Sequence, residues 1–218
     1  DATSLAGLVR SGQLQASEVV AQAARGVARV NGRLAGVLEV FEDVVEDPMR
    51  DRPARDGRLH GVPVFLKDLG SRLKGRRQES GSRLLAGNVS KDTDPLVENF
   101  LSAGLVPIGR STTPEFGMTF DTSTNYLGRV MVTRNPWNLK HTPGGSSGGS
   151  AAMVAARVTP ISMASDGGGS TRIPASYCAL VGLKATRGMV PRPLSQSEYG
   201  VRISCEGVVT RSVRDTAA

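Results

Sequence analysis

Aromatic side chains are scarce in this 218-residue chain: five Phe, three Tyr and one Trp, 4% of the residues. Single-stranded nucleic acid is held largely by stacking bases on such rings, so the chain is poorly equipped for it. Cysteine is nearly absent. Cys178 and Cys205 cannot make a disulfide framework, and they suit a reducing, cytoplasmic setting as small buried apolar side chains. His60 and His141 are the two histidines, and they do not stand at metal-ligand spacing, which argues against zinc. A Ser-His-Asp triad would need one of them, and neither has a supporting context. G-x-x-x-x-G-K-[ST] and G-x-S-x-G are both missing, which removes the P-loop phosphate cradle and the nucleophile elbow. No apolar run reaches the ~18–20 residues that cross a bilayer, and a membrane is not an expected partner. No basic-then-apolar leader opens the chain; it starts at Asp1 rather than Met, which leaves room for a short leader ahead of it.

What is present fits a globular protein of one good-sized domain or two small ones: 39% hydrophobic and 22% charged residues. The net charge is +7, with a pI near 10.0. It is unevenly spread, since residues 1–60 hold eight basic and nine acidic groups and the surplus lies beyond them. Arg72, Lys74, Arg76, Arg77 and Arg83 form the densest basic patch. Such a patch can meet RNA or another anion, but without interleaved aromatics we read it as a solvated loop face. Nucleic acid is therefore not an expected partner.

Helix and strand signals alternate along the chain, which points to an α/β fold. The first forty residues read as mainly helical. Ser17 is a candidate N-cap, Val19, Val20, Ala23, Ala24, Val27 and Val30 give one apolar face, and Asn31-Gly32 is a stop signal. Residues 36–41 read as a strand, and residues 47–59, with Pro48 and Pro53, as a surface connection. Val62 to Leu66 is a short apolar run between glycine, proline and polar residues, hence a buried strand, with Lys67 and Asp68 at its C-terminal end. Ligands bind at that end in open α/β sheets. Asp94-Pro95 marks a helix start with proline at the first position, and this helix ends near Gly104. Val106 to Gly109 is another strand candidate, and Ser212 to Ala218 reads as the start of a helix.

The most informative stretch runs from His141 to Gly188. It contains two glycine–serine loops, Gly144 to Ser150 and Gly167 to Ser170, around the apolar run Ala151 to Ala164. By composition GGSSGG suits a flexible linker. Here it leads straight into an apolar, helix-like segment, so the linker reading fails. A serine ringed by glycines has an exposed hydroxyl beside several N–H donors, which is what acyl transfer needs from a nucleophile and an oxyanion hole.

These residues form long, specific motifs: GGSSGGSAA at 144–152, DGGGSTRIP at 166–174 and CALVGLKATRG at 178–188. GVPVFLKD at 61–68, TRNPWNL at 133–139 and VVTRSVRDTAA at 208–218 accompany them. The set resembles the amidase signature family, and within it the bacterial broad-range amidases, including those acting on nylon-type oligomers. The resemblance implies an α/β/α sandwich around a mixed, twisted sheet, hydrolysis of a carboxylic amide of a small molecule, and no cofactor or metal. It implies a Ser–cis-Ser–Lys triad with Ser170 as nucleophile, Ser146 as bridging serine and Lys67 as base, the Gly145–Ser146 peptide bond being cis. Burial of Lys67 would lower its pKa enough to make it a base. The N–H groups of Gly167, Gly168, Gly169 and Ser170 would hold the oxyanion. Ser147 would keep the network in register, and Asp166 and Arg172 would pair and brace the loop. Trp137 and Tyr126 read as packing or loop anchors, while Met118 and Phe120 are candidates for either pocket or core.

Three positions depart from the family pattern without touching the triad: Gly167 for threonine or isoleucine, Ala185 for proline, and Arg157 for a small residue. Family members are also much longer, so residues 1–218 read as the N-terminal portion of one amidase-signature domain whose C-terminal half is missing. An apolar edge or face is then expected to stay open and to favour a homo-oligomer. Two rival readings remain: the amidase subunit of a glutamine-dependent tRNA amidotransferase, and an inactive truncated fragment serving only as an interaction surface.

Overall fold

The apolar run after Gly61 lies at the middle of the sheet. A computed structural model of the protein describes residues 1–70, 72–191 and 203–218. In chain order these form α1 (Ala2–Arg10), α2 (Ala16–Leu34), β1 (Val37–Val40), α3 (Glu42–Glu46), β2 (Pro63–Lys67) and α4 (Pro95–Ser102). There follow β3 (Val106–Ser111), a hairpin of β4 (Ser123–Tyr126) and β5 (Arg129–Val132), α5 (Gly148–Ala155) and β6 (Ile161–Asp166). Then come α6 (Arg172–Tyr177), β7 (Val181–Gly182), β8 (Cys205–Thr210) and α7 (Val213–Ala217). Among the described residues the main sheet has six strands in the order β1-β3-β2-β6-β8-β7. β2 is parallel to both β3 and β6, whereas β1–β3, β6–β8 and β7–β8 are antiparallel. The sheet is thus mixed, as the family resemblance implied.

Alternation along β2 explains the layers. Every residue of β2 is buried, and successive side chains point to opposite faces. Val64 and Leu66 pack with Ile161 and Met163 against α1 and α4, through Ala2, Ala6, Leu96, Val97 and Phe100. Phe65 faces the other way, into a cluster with Val20, Ala23 and Val27 of α2, Val44 of α3, and Ala152 and Met153 of α5. Helices therefore cover both faces, with a core on each side of the strands, and among the described residues a smaller cluster of Val154, Ala164, Ala175 and Val209 joins α5, β6, α6 and β8 once the later elements are in place.

Two local expectations need correction. α2 starts at Ala16, with Gln15 rather than Ser17 at the cap position, because the Glu18 carboxylate accepts from the Gln15 N–H at 2.7 Å. It then runs through Asn31-Gly32 to Leu34 and ends at Ala35, whose φ is 48°. Asn31 does not stop the helix because its side chain serves the turn from within: its Oδ1 accepts from Gly36 and Val37 N–H, and its Nδ2 donates to Val37 O, all at 2.9 Å. The run Ala151 to Ala164 divides into the end of α5 and most of β6, separated by a turn before Pro160. Asp94 stands at the start of α4 without capping it by its side chain, which is given to Arg72 instead.

The two ends of the described chain meet. Asp215 of α7 accepts from the Ala2 and Thr3 N–H groups at 2.9 Å each, and so serves the free donors at the start of α1. Burial raises the Asp215 pKa, but these hydrogen bonds outweigh it and the net direction is down.

Candidate active site

β2 and β6 are adjacent and parallel, so their C-terminal ends share one edge of the sheet. Lys67 is the last residue of β2 and Asp166 the last of β6. The loop Gly144 to Ser147 enters α5, and the loop Gly167 to Ser170 leads toward α6; both lie at this edge. Strand ends and loop ends thereby bring Lys67, Ser146, Ser147, Asp166 and Ser170 together from three separate stretches of chain.

Lys67 is 1% exposed. Its Nζ donates to Ser146 Oγ at 2.8 Å and to Ser165 Oγ at 2.9 Å. Burial pulls its pKa down to about 7, and the carboxylates of Glu206 on β8 and Asp166 on β6 oppose that fall. The Gly145–Ser146 peptide bond is cis. The Ser146 carbonyl accepts from Thr113 Oγ1 at 2.9 Å. Ser147 links the two loops: its N–H donates to Ser170 O at 3.2 Å, and its hydroxyl accepts from Ser165 N–H at 3.3 Å.

Ser170 is buried, and its hydroxyl makes no hydrogen bond to Ser146 among the described residues. The N–H groups of Gly167, Gly168, Gly169 and Ser170 find no acceptor among the described residues. They are donors in want of a partner, beside a serine hydroxyl. Gly169 has φ 138°, a backbone conformation that calls for glycine, and the Ile173 side chain packs where a Cβ would stand. Asp166 receives Arg172 Nε at 2.8 Å and Nη2 at 2.9 Å, with the Thr171 and Arg172 N–H groups at 3.3 Å. Burial raises the Asp166 pKa, but the hydrogen bonds from Arg172 and Thr171 and the Arg172 charge together outweigh it, and the net direction is down.

Other residues singled out from the sequence take quieter places. His60 Nδ1 lies 3.0 Å from Ala54 O, and among the described residues neither histidine ring is bonded to Ser146, Ser147 or Ser170. Arg72 pairs with Asp94, and Arg76 with Asp43 and Asp51 while stacking on Phe41, so part of the basic patch is spent inside the fold. Trp137 Nε1 donates to Cys178 O at 2.9 Å and anchors its loop. Met118 and Phe120 are exposed, and the Phe120 ring lies 3.5 Å from where a Cβ on Gly168 would stand. Sequence reasoning gave no role to Ser165 or Glu206. Ser165 stands five residues before Ser170 at the end of a strand, a position that points it at the same edge. Nothing in the sequence marks Glu206, whose place depends on the pairing of β8 with β6 across from Ser165. Among the described residues no His, Cys, Asp and Glu cluster is arranged to hold a metal ion.

Residues 18–218 match the family described as Amidase, and the chain belongs to that family. It is 40% identical over 231 residues to a 6-aminohexanoate-cyclic-dimer hydrolase of Paenarthrobacter ureafaciens, covering 100% of this chain and 44% of that protein. The solved structure of a 6-aminohexanoate cyclic dimer hydrolase superposes with a TM-score of 0.90 at 38% identity, over 100% of this chain and 44% of that one. The chain is also 39% identical over 213 residues to a glutamyl-tRNA(Gln) amidotransferase subunit of Exiguobacterium sibiricum, covering 96% of this chain and 43% of the relative. It thus spans less than half the length of these relatives.

Proposed function

We propose that the protein hydrolyses a carboxylic amide of a small molecule to an acid and an amine or ammonia, through an acyl-enzyme on Ser170. Neutral Lys67 accepts a proton from Ser146, which takes one from Ser170 as its Oγ attacks the carbonyl carbon. The N–H groups of Gly167 to Ser170 stabilise the oxyanion; one such donor is typically worth ~3–4 kcal/mol. The C–N bond then breaks, the leaving nitrogen receives the relayed proton, and water releases the acid from Ser170. Ser147 keeps the two loops in register, and the Asp166–Arg172 pair braces the second. No cofactor enters this scheme.

The observation that carries this reading is a buried lysine, its pKa about 7, hydrogen-bonded to Ser146 at 2.8 Å. The similarity to a cyclic-dimer hydrolase and the exposed apolar Phe120 beside Gly168 favour amides with aliphatic segments, nylon-type oligomers among them. Among the described residues no helix is long and apolar enough to cross a membrane, and with two free cysteines we place the protein in the cytoplasm. A fluorophosphonate applied to the complete protein should label Ser170. Peptide mapping that puts the label on Ser146 or Ser147 overturns the division of roles.

A second reading rests on the 39% identity to an amidotransferase subunit, in which case this chain would act inside a larger assembly. The native mass of the purified protein separates the two: a complex with other chains and tRNA favours the assembly, and a single species or homo-oligomer favours the stand-alone amidase.

A further inference from the structure

Arg110 of β3 is 1% exposed, among the largest fully buried side chains, and it faces three carboxylates. Its Nη1 donates to Asp68 Oδ1 at 2.7 Å and to Glu79 Oε2 at 2.9 Å, its Nε donates to Glu39 Oε2 at 3.1 Å, and its Nη2 reaches Tyr126 Oη at 3.4 Å. A buried ion cluster of this kind is seldom more stable than apolar packing of the same shape, so stability alone does not explain it.

What the cluster touches suggests another reason. Asp68 follows Lys67 directly and closes the strand end by donating its N–H to Ser111 O at 3.1 Å. Its carboxylate also accepts from Glu79 N–H at 2.8 Å and Gly81 N–H at 2.9 Å, which fixes the loop over residues 79–81. That loop holds the segment next to the bridging serine: Ser80 O accepts from Phe116 N–H at 2.8 Å. Thr113 in the same segment donates to Ser146 O, and a Cβ on Gly117 would stand 3.1 Å from Ser146 Oγ. From Arg110, one path runs through Asp68 to Lys67, and the other through residues 79–81 and 113–117 to Ser146. The two paths end on the two partners of one hydrogen bond.

We propose that Arg110 is a positioning residue that sets the spacing of Lys67 and Ser146 by holding Asp68 and the 79–81 loop in one arrangement. The inference rests on the reading of Lys67 as the base. It acts through geometry rather than charge. The carboxylates that bear on Lys67 are Glu206 on β8 and Asp166 on β6, and the cluster around Arg110 leaves both untouched.

The test uses the complete protein, with rates expressed per site titrated by a fluorophosphonate. Arg110→Met should lower kcat on the order of 10²-fold, as expected of an ångström-scale misplacement, with KM nearly unchanged. Arg110→Lys, which keeps a cation near Asp68, should recover part of that loss. Asp68→Asn keeps the volume and cuts the charged tie to the Gly81 N–H; it should lower kcat by roughly tenfold and serves if Arg110→Met does not fold. A crystal structure of either variant should show the Lys67–Ser146 hydrogen bond lost or lengthened. A purely structural role would lower Tm and the number of titratable sites and leave the rate per site alone; that result, or an intact Lys67–Ser146 contact in both variants, overturns the proposal. Lys67→Ala run alongside tests the underlying reading separately. If it keeps the wild-type rate per site, the base is wrongly assigned; if it loses that rate while Arg110→Met and Asp68→Asn keep theirs, Arg110 alone is wrong.

Discussion

The two glycine–serine stretches, the first of which runs on into α5, have similar composition and different surroundings. Gly144 to Ser150 is buried throughout. A Cβ on Gly145 would lie 2.5 Å from Asp121 O, and one on Gly149 would run into Thr112 N. There glycine lets backbone lie on backbone. In the second loop a Cβ on Gly167 would meet nothing nearer than 3.7 Å, and one on Gly168 nothing nearer than 3.5 Å. There glycine leaves the N–H groups clear beside Ser170. The first stretch is glycine-rich because it is crowded, whereas Gly167 and Gly168 of the second stand in open space and Gly169 is set by its φ of 138°; composition alone does not tell them apart.

The comparison can be pressed hardest through the chemistry proposed to join the loops. Lys67→Ala removes the group held against the first loop and should slow acylation of Ser170 in the second by roughly 10²–10⁴-fold. In the wild type, kcat/KM should rise as Lys67 loses its proton, through about pH 7, and then level off. Lys67→Ala should flatten that rise, and His60→Ala or His141→Ala should leave its shape alone. A rise that survives in Lys67→Ala and vanishes in a histidine variant would separate the loops into unrelated features.

The next effect is on stability. Gly149→Ala should cost about 3 kcal/mol, because the obstructing atoms are backbone, whereas Gly168→Ala should stay within about 0.5 kcal/mol. Urea denaturation of both variants checks this, and equal costs would erase the distinction.

A smaller effect concerns the lysine itself. Its folded pKa of about 7 lies below the ordinary 10.5, so between those values the unfolded chain binds the extra proton. Stability therefore falls as pH drops from 10.5 toward 7 and stays reduced below 7. Lys67→Met lifts that penalty. It should raise stability on the order of 2 kcal/mol at about pH 6, with the gain shrinking toward zero above pH 10.5. A gain that does not change with pH would mean that burial is not what holds the lysine's pKa down.

Much of this architecture is legible without coordinates wherever a local signal coincides with the tertiary outcome. Val62 to Leu66 is short and apolar beside turn residues and reads as a buried strand ending at Lys67 and Asp68; β2 covers Pro63–Lys67. Pro95 and Gly104 bracket α4 because φ restriction and φ freedom act locally. Legibility stops where the deciding partner is distant. Asn31 looks like a terminator until its side chain is seen bonding to Gly36 and Val37. The β4–β5 hairpin carries exposed Val130 and Val132, so it lacks a clean alternation of buried and open positions. Ser165 is visible just ahead of the motif, yet its contact with Lys67 depends on the register of β6 beside β2. Arg110 reads as one more basic residue until the strands bring Glu39, Asp68 and Glu79 around it.

The Asp215 clasp on α1 also constrains the order of events at the ribosome. A chain grows from its N-terminus at about 5–20 residues per second, so roughly 10–40 s separate the synthesis of Thr3 from that of Asp215. During that interval the Ala2 and Thr3 N–H groups lack the carboxylate that serves them in the fold, although Asp1 already accepts from the Ser4 N–H. The clasp is thus a late addition to a helix that already packs through Ala2 and Ala6, and a nascent chain stalled before residue 215 should be cut more readily at α1 than the finished chain.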